Sequence, residues 1–170
     1  MKKRSYAIAF SSVMTALCII LLFLGSVVTV LDLSCAALAS IVVILAVIEI
    51  GGFYPWLIWL CTSILGLLLL PDKFGSLVFF LFAGYYPILK SFTERLPKAF
   101  YFIKLIVFNL SLTLIIFSSK ALLGLPDTEI TYSVFTYLIC NIVFVLYDIA
   151  MTRLITLYLF KLRRRFKFFK

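Results

Sequence analysis

Residue types able to do chemistry are sparse here and fall into three groups. Asn141, Asp148 and Thr152 lie at i, i+7 and i+11 inside one long apolar run, so on a helix they share a face. An acid at membrane depth is expensive unless it pairs or faces a polar interior. Such acids serve either as coupling groups in transport or as register-setting partners between helices. Both readings of Asp148 stand at this stage. Arg153 is five residues further on and somewhat off that face, so pairing within the helix is available but not ideal. Asn109 and Thr113, at i and i+4 in another apolar run, read first as bridges between helices. Glu49 closes a further run beside Gly51-Gly52, where it reaches an interface and can meet a Lys or Arg from another segment.

The second group lies in the breaks between apolar runs: Asp32, Ser34, Asp72, Lys73, Asp127, Glu129, Thr131 and Tyr132. If these breaks share one side, their donors and acceptors can ring a small solute. Asp32, Ser34, Asp72 and Tyr132, with Asn109 and Asn141 from within the runs, are the candidate solute-binding residues. The plainer reading of each loop residue is ordinary solvation. Pro71-Asp72-Lys73-Phe74-Gly75 and Leu125-Pro126-Asp127 are turn formers first. The third group is small residues. Ala9, Ser12 and Ala16 share one helical face, and Ser12/Ala16 is a small-xxx-small pair. Such a face admits another helix closely, whether from the same bundle or from a separate membrane subunit. Ala36, Ala39, Ser40 and Ala46 give the next run a similar character.

What is missing narrows the chemistry further. The chain has no histidine, which removes the commonest general acid/base and metal ligand. Cys18, Cys35, Cys61 and Cys140 sit in apolar runs with no C-x-x-C pair, and read as packing residues. There is no P-loop, no paired-aspartate transferase motif and no activated nucleophile. The expectation is a non-enzyme without cofactor or metal.

The elements that must position these residues follow from composition. Of 170 residues, 65% are hydrophobic and 14% charged, with mean hydropathy +1.20. That is too little polar surface for a water-soluble core, and it excludes a soluble enzyme, a disordered chain and a secreted disulfide scaffold. The expected fold is all-α: a single transmembrane domain of about six helices, spanning about 6–31, 33–50, 54–70, 74–89, 98–123 and 130–160. Met1-Lys2-Lys3-Arg4 precedes an uncharged stretch from Ser5 to Leu31, longer than a signal-peptide core, so this reads as a retained first span. The aromatic residues, including Trp56, Trp59, Tyr85, Tyr86, Tyr132 and Tyr158, are expected mostly as interface anchors or lipid-facing bulk.

Net charge is +9, which in a soluble chain would point to nucleic acid. Here basic residues flank apolar runs, so the expected partner is the lipid bilayer and not nucleic acid. With the N-terminus inside, twelve Lys and Arg fall on inner segments: Lys2, Lys3, Arg4; Lys90, Arg95, Lys98; Lys161, Arg163, Arg164, Arg165, Lys167 and Lys170. Two, Lys73 and Lys120, fall outside, while Lys104 and Arg153 lie within runs and can snorkel. This partition predicts a plasma-membrane protein with both termini cytoplasmic.

The stretch Ala9-Phe10-Ser11-Ser12-Val13-Met14-Thr15-Ala16-Leu17-Cys18, in a chain of this size with six short spans, resembles the first helix of the S component of energy-coupling-factor transporters. Leu33–Leu70, two runs around a Gly-Gly turn, is similar to their second and third spans. The resemblance implies a solute-binding subunit for vitamin or micronutrient uptake. It also implies that the Ser12/Ala16 face docks on a membrane coupling subunit driven by ATPases. It carries over no ligand set. The bundle also resembles small rod-shape-determining membrane proteins, which makes a non-catalytic scaffold or assembly subunit the alternative. An autonomous transporter using Asp148 is a third reading, without the paired broken helices such transporters carry.

The charge partition yields a direct test. In a cysteine-free background, Lys73→Cys and Thr128→Cys should react with an impermeant thiol reagent in intact cells. Arg95→Cys should react only after permeabilisation, and its labelling in intact cells would overturn the orientation.

Overall fold

The structure, a computed structural model, describes residues 2–93, 101–123 and 134–162. It is all-α, with no strand among the described residues. The chain divides into two compact units, Met1–Thr131 and Tyr132–Lys170. The first holds α1 (Lys2–Val27), α2 (Asp32–Glu49), α3 (Tyr54–Leu69), α4 (Phe74–Val78), α5 (Tyr86–Thr93) and α6 (Tyr101–Leu123). The second holds α7 (Val134–Leu157), which runs on into a π-helical turn, Tyr158–Leu162. Among the described residues five helices are long and apolar enough to cross a membrane: 4–27, 32–49, 74–93, 102–119 and 135–160. The remaining one, α3, is equally apolar but has 16 residues, about 24 Å at 1.5 Å per residue.

The ends that join α1, α2 and α3 have local causes. After α1 the β-branched run Val27-Val28-Thr29-Val30 tightens into a 3₁₀ turn, Thr29–Leu31, closed by the Leu31 N–H donating to the Val28 carbonyl at 2.7 Å. Asp32 then begins α2, where an acid suits the positive end of the helix dipole. At the far end Gly51 and Gly52 take φ of +63° and +64°, a backbone that L side chains rarely adopt. The Gly51 N–H turns back to the Ala46 carbonyl. Pro55 occupies the first turn of α3, where its missing N–H is harmless. Leu70, forced extended by Pro71, ends that helix at ψ 140°.

α1 packs on α2 and α3, while α2 also packs on α4 and α5. The run expected as one helix over 74–89 is interrupted. α4 gives way to a π-helical turn over Phe79–Ala83, closed by the Gly84 N–H donating to the Phe79 carbonyl at 2.8 Å, and α5 restarts at Tyr86. Pro87 explains the interruption, because it cannot donate to residue 83 and its ring crowds that carbonyl. The Trp59 indole Nε1–H of α3 donates to the Phe80 carbonyl at 3.1 Å, and the Trp59 and Phe80 rings stack 5.6 Å apart at 11°. Trp56 and Tyr85 meet Trp59 edge-on, and Phe82 packs on Tyr86 and on Phe108 of α6.

Three sequence expectations change. Tyr86 is fully buried and packs on buried Phe82, while Trp59 and Tyr85 are half-buried in the same cluster, so Tyr86 is core and not lipid-facing bulk. Lys90, expected in an inner segment between spans, lies in the last turn of α5 and is buried. Asp32, expected in a solvated break, is a buried helix-initiating residue.

Gly84 is where the π turn meets α3. A Cβ there would stand 2.4 Å from Trp59 Cδ1 and 2.8 Å from Phe79 Cε1. Gly84→Ala should therefore destabilise the protein by about 1–3 kcal/mol, in the range of core overpacking, read as a lower melting temperature in detergent. An unchanged melting temperature would mean that Trp59 gives up its bond to Phe80 without loss.

Candidate functional site

The concentration of chemistry lies where the end of α1, the start of α2 and the start of α4 converge. Asp32 is 5% exposed. Its Oδ1 is buried and has no hydrogen-bond partner. Two glycines close over that oxygen. A Cβ on Gly25 of α1 would lie 3.1 Å from Oδ1, and one on Gly75 of α4 would lie 3.0 Å from it. A methyl group at either position would be tight against the carboxyl group, which would have to give by a few tenths of an ångström. Asp72 comes to the same place by a different route. Its Oδ1 accepts the Phe74 N–H at 2.9 Å, an Asx turn that launches α4. It lies near enough to Asp32 for the two acids to act on each other electrostatically. Gly75, read in the sequence as part of a turn, is instead a helical residue packed on Asp32.

The first unit also buries hydroxyls on α2, α3 and α4, of which the sequence reading singled out only Ser40, as a small residue. Ser40, Thr62, Ser63 and Ser76 are essentially inaccessible. Ser40 and Ser63 satisfy their hydroxyls on their own helices, donating to the Ala37 carbonyl at 2.5 Å and the Trp59 carbonyl at 2.7 Å. Thr62 Oγ1 and Ser76 Oγ have no hydrogen-bond partner. Gly66, one turn beyond Thr62, makes room for Ser76: a Cβ on Gly66 would be 2.8 Å from Ser76 Oγ. Glycines at 25, 66 and 75 were the available signal, since glycine inside a helix marks close approach of another backbone. Of the cysteines, Cys18 and Cys35 are buried packing residues, and the Cys18 Sγ–H donates to the Ala39 carbonyl at 3.5 Å. Cys61 is exposed.

The other candidates lie apart from this centre. Ser34, two residues past Asp32 on α2, is exposed, because a 200° turn of the helix carries it to the opposite side. Tyr132 lies outside the described residues. Asn109 and Thr113 border a shallow hollow of about 480 Å³ on α6 with Phe102, Leu105, Ile106 and Leu110. Their side chains donate to carbonyls one turn back, Leu105 at 2.8 Å and Asn109 at 2.9 Å. Glu49 is half-buried at the end of α2. In the second unit, the Asn141 amide donates to the Tyr137 carbonyl at 2.8 Å and the Thr152 hydroxyl to the Asp148 carbonyl at 2.9 Å. Thr152 and Arg153 are exposed.

The small-residue face of α1 has a distinct setting. Ala9, Ser12 and Ala16 are all exposed. Ser12 and Ala16 form one wall of an open groove of about 480 Å³, with Tyr54, Leu57 and Cys61 of α3 on the other. The Ser12 hydroxyl donates to the Ile8 carbonyl at 3.0 Å, so the wall presents mostly carbon.

Chemically, the convergence brings two acids near each other. Among the described residues no group of three or more His, Cys, Asp or Glu gathers anywhere, and two carboxylates fall short of the oxygen shell a calcium ion takes. No known family, curated protein or solved structure matches the chain.

The two unpartnered hydroxyls give a test. Removing an unpaired buried hydroxyl removes a desolvation penalty, whereas removing a paired one forfeits its bond. Ser76→Ala should leave stability unchanged or raise it by about 1 kcal/mol, while Ser63→Ala lowers it by a similar amount. Destabilisation by Ser76→Ala, measured as a melting temperature, would require a water or ligand on that hydroxyl.

Proposed function

We propose that the chain is a multi-pass membrane protein that acts as the solute-binding subunit of a micronutrient uptake transporter, docking through α1 onto a membrane coupling subunit. The supporting observation is the open groove between α1 and α3, walled by Ser12 and Ala16 and left uncovered by the rest of the first unit. Small side chains at a helix–helix contact allow the close backbone approach on which association in lipid depends. The outward side of α1 carries Ile8, Val13, Leu17, Ile20 and Leu24, all exposed. A surface this apolar suits lipid or a partner helix and not water. The orientation follows the charge partition, with both termini cytoplasmic. In this reading the Asp32 and Asp72 end is extracellular, where a solute would arrive.

The docking test uses sterics. Ser12→Leu and Ala16→Leu should fill the groove, leave folding intact and abolish co-purification with a larger membrane complex. Mass spectrometry of gently extracted wild-type protein should find a stoichiometric small molecule. Retention of the complex by both variants would defeat the docking face. A complex with no small molecule in it would favour the scaffold or assembly-subunit reading instead.

A further inference from the structure

We propose that the groove between α1 and α3 holds one acyl chain of an anionic phospholipid from the leaflet on the N-terminal side, with the lipid phosphate at Arg4. This is a single retained lipid, distinct from the acyl chains that solvate the rest of the surface. The inference holds whether or not a subunit docks on the same wall, and a docking helix would have to displace the chain.

The packing of the two helices sets how the groove runs. α2 carries the chain back between α1 and α3, so these two run in the same direction. Leu22 of α1 stands level with Gly66 of α3, its Cδ1 3.7 Å from where a Cβ on that glycine would be. The groove stops short of this contact, at Ile19 and Leu65, and begins at Ile8 and Tyr54. From Ile8 to Ile19 is about 16 Å at 1.5 Å per residue. One leaflet of a hydrocarbon core about 30 Å thick is about 15 Å deep. The groove therefore has the reach of an acyl chain that enters from one side.

Its lining suits such a chain. Buried Ser11 and Ile58 form the floor. The hydroxyls of Ser11, Ser12 and Thr15 donate to carbonyls of their own helix, at 2.8, 3.0 and 2.9 Å. Their hydrogens are thus spent inside α1, and the surface left to an occupant is mostly carbon.

Charge selects the headgroup. Ile8, Ser11, Thr15 and Ile19 follow one face of α1, and Arg4 continues that face one turn earlier. Arg4 is exposed. Lys2 and Lys3 precede it in the first turn, at the positive end of the helix dipole. Among the described residues of the first unit, Asp32 and Asp72 lie at the far end of α1, and Glu49 is the one acid at this end. Three bases against one acid favour an anion, and a guanidinium meets phosphate through two parallel N–H···O bonds. Beside Tyr54 the Gly51-Gly52 turn leaves room for a headgroup, because a Cβ on Gly52 would meet nothing within 4 Å.

The experiment is native mass spectrometry of the full-length protein released from micelles that hold equal amounts of phosphatidylglycerol and phosphatidylcholine. The wild type should retain one phosphatidylglycerol in preference to phosphatidylcholine. Arg4→Gln should lower that preference about fivefold, the effect of one basic residue at a lipid surface. Lys73→Gln, at the other end of the first unit, should leave it unchanged. Cys61, exposed on the α3 wall of the groove, gives a second reading. Its alkylation by an apolar maleimide, followed on its own peptide, should slow with phosphatidylglycerol and slow less in Arg4→Gln. Equal retention of the two lipids by the wild type would overturn the proposal. So would an equal loss of preference in Lys73→Gln, which would assign the lipid to overall charge, or equal protection of Cys61 by both lipids. Arg4→Gln keeps the Ser12 and Ala16 wall intact, so recovery of a larger complex with this variant bears on docking alone.

Discussion

Close approach of helix backbones is the constraint from which the rest of the first unit follows. In lipid, association gains nothing from apolar burial as such, because the surrounding tails are as apolar as a leucine side chain. What remains is dispersion, which falls off steeply once a gap opens. The first unit meets this with glycine at its crossings. Gly25 and Gly75 close tightly on Asp32, and Gly66 on Ser76 and Gly84 on Trp59 stand where a methyl group would not fit without a shift. Helices held this near leave little space for water, so every polar group inside must be satisfied by the chain or go without.

Most are satisfied locally. Ser11, Ser26, Ser40, Ser63 and Ser111 each donate to a carbonyl three or four residues back in the same helix. Such bonds let a hydroxyl be small without being exposed, and make serine a near-substitute for alanine at a crossing. The π turn follows the same rule from the other direction. Pro87 takes a donor away from α5, the preceding turn widens, and the Trp59 indole supplies Phe80 with a hydrogen from α3. Against this background the Asp32 carboxyl group is conspicuous. It has no backbone donor on Oδ1, and its neighbour is an acid.

Helical character was legible because long apolar runs broken by Pro71, Gly51-Gly52 and a β-branched stretch leave little choice of secondary structure. The site was legible only as a list. Asp32 and Asp72 stood among eight loop residues, with nothing to separate them from Ser34. Helix periodicity says which residues share a face of one helix; it does not say which helix crosses that face, or where. Asp32 and Ser34 differ in whether Gly25 and Gly75 arrive overhead, and glycine is nearly silent in a hydropathy profile. Tyr86 was misjudged for a related reason. An aromatic at a helix end reads as an interfacial anchor until a π turn packs against it. Lys90 likewise reads as an inner-loop charge until α5 extends the helical run past it.

The two sides of α1 bear on what the bundle is for. Ala7, Ser11, Cys18, Leu22 and Gly25 are buried, and their spacing of four, seven, four and three keeps one seam turned inward along the helix. That seam already contains the small residues needed to bring α2 and α3 close. Ala9, Ser12 and Ala16 lie off it and are exposed, so packing among the described residues of the first unit does not call for their smallness. Lipid does not call for it either, since a leucine at the same place would be at least as well solvated by acyl chains. This second small face, beside a groove that α3 completes, is left uncovered by the described residues of the first unit. A face of this kind would let another backbone come near, which is why the proposed docking rests on Ser12 and Ala16 and not on the more numerous apolar residues around them.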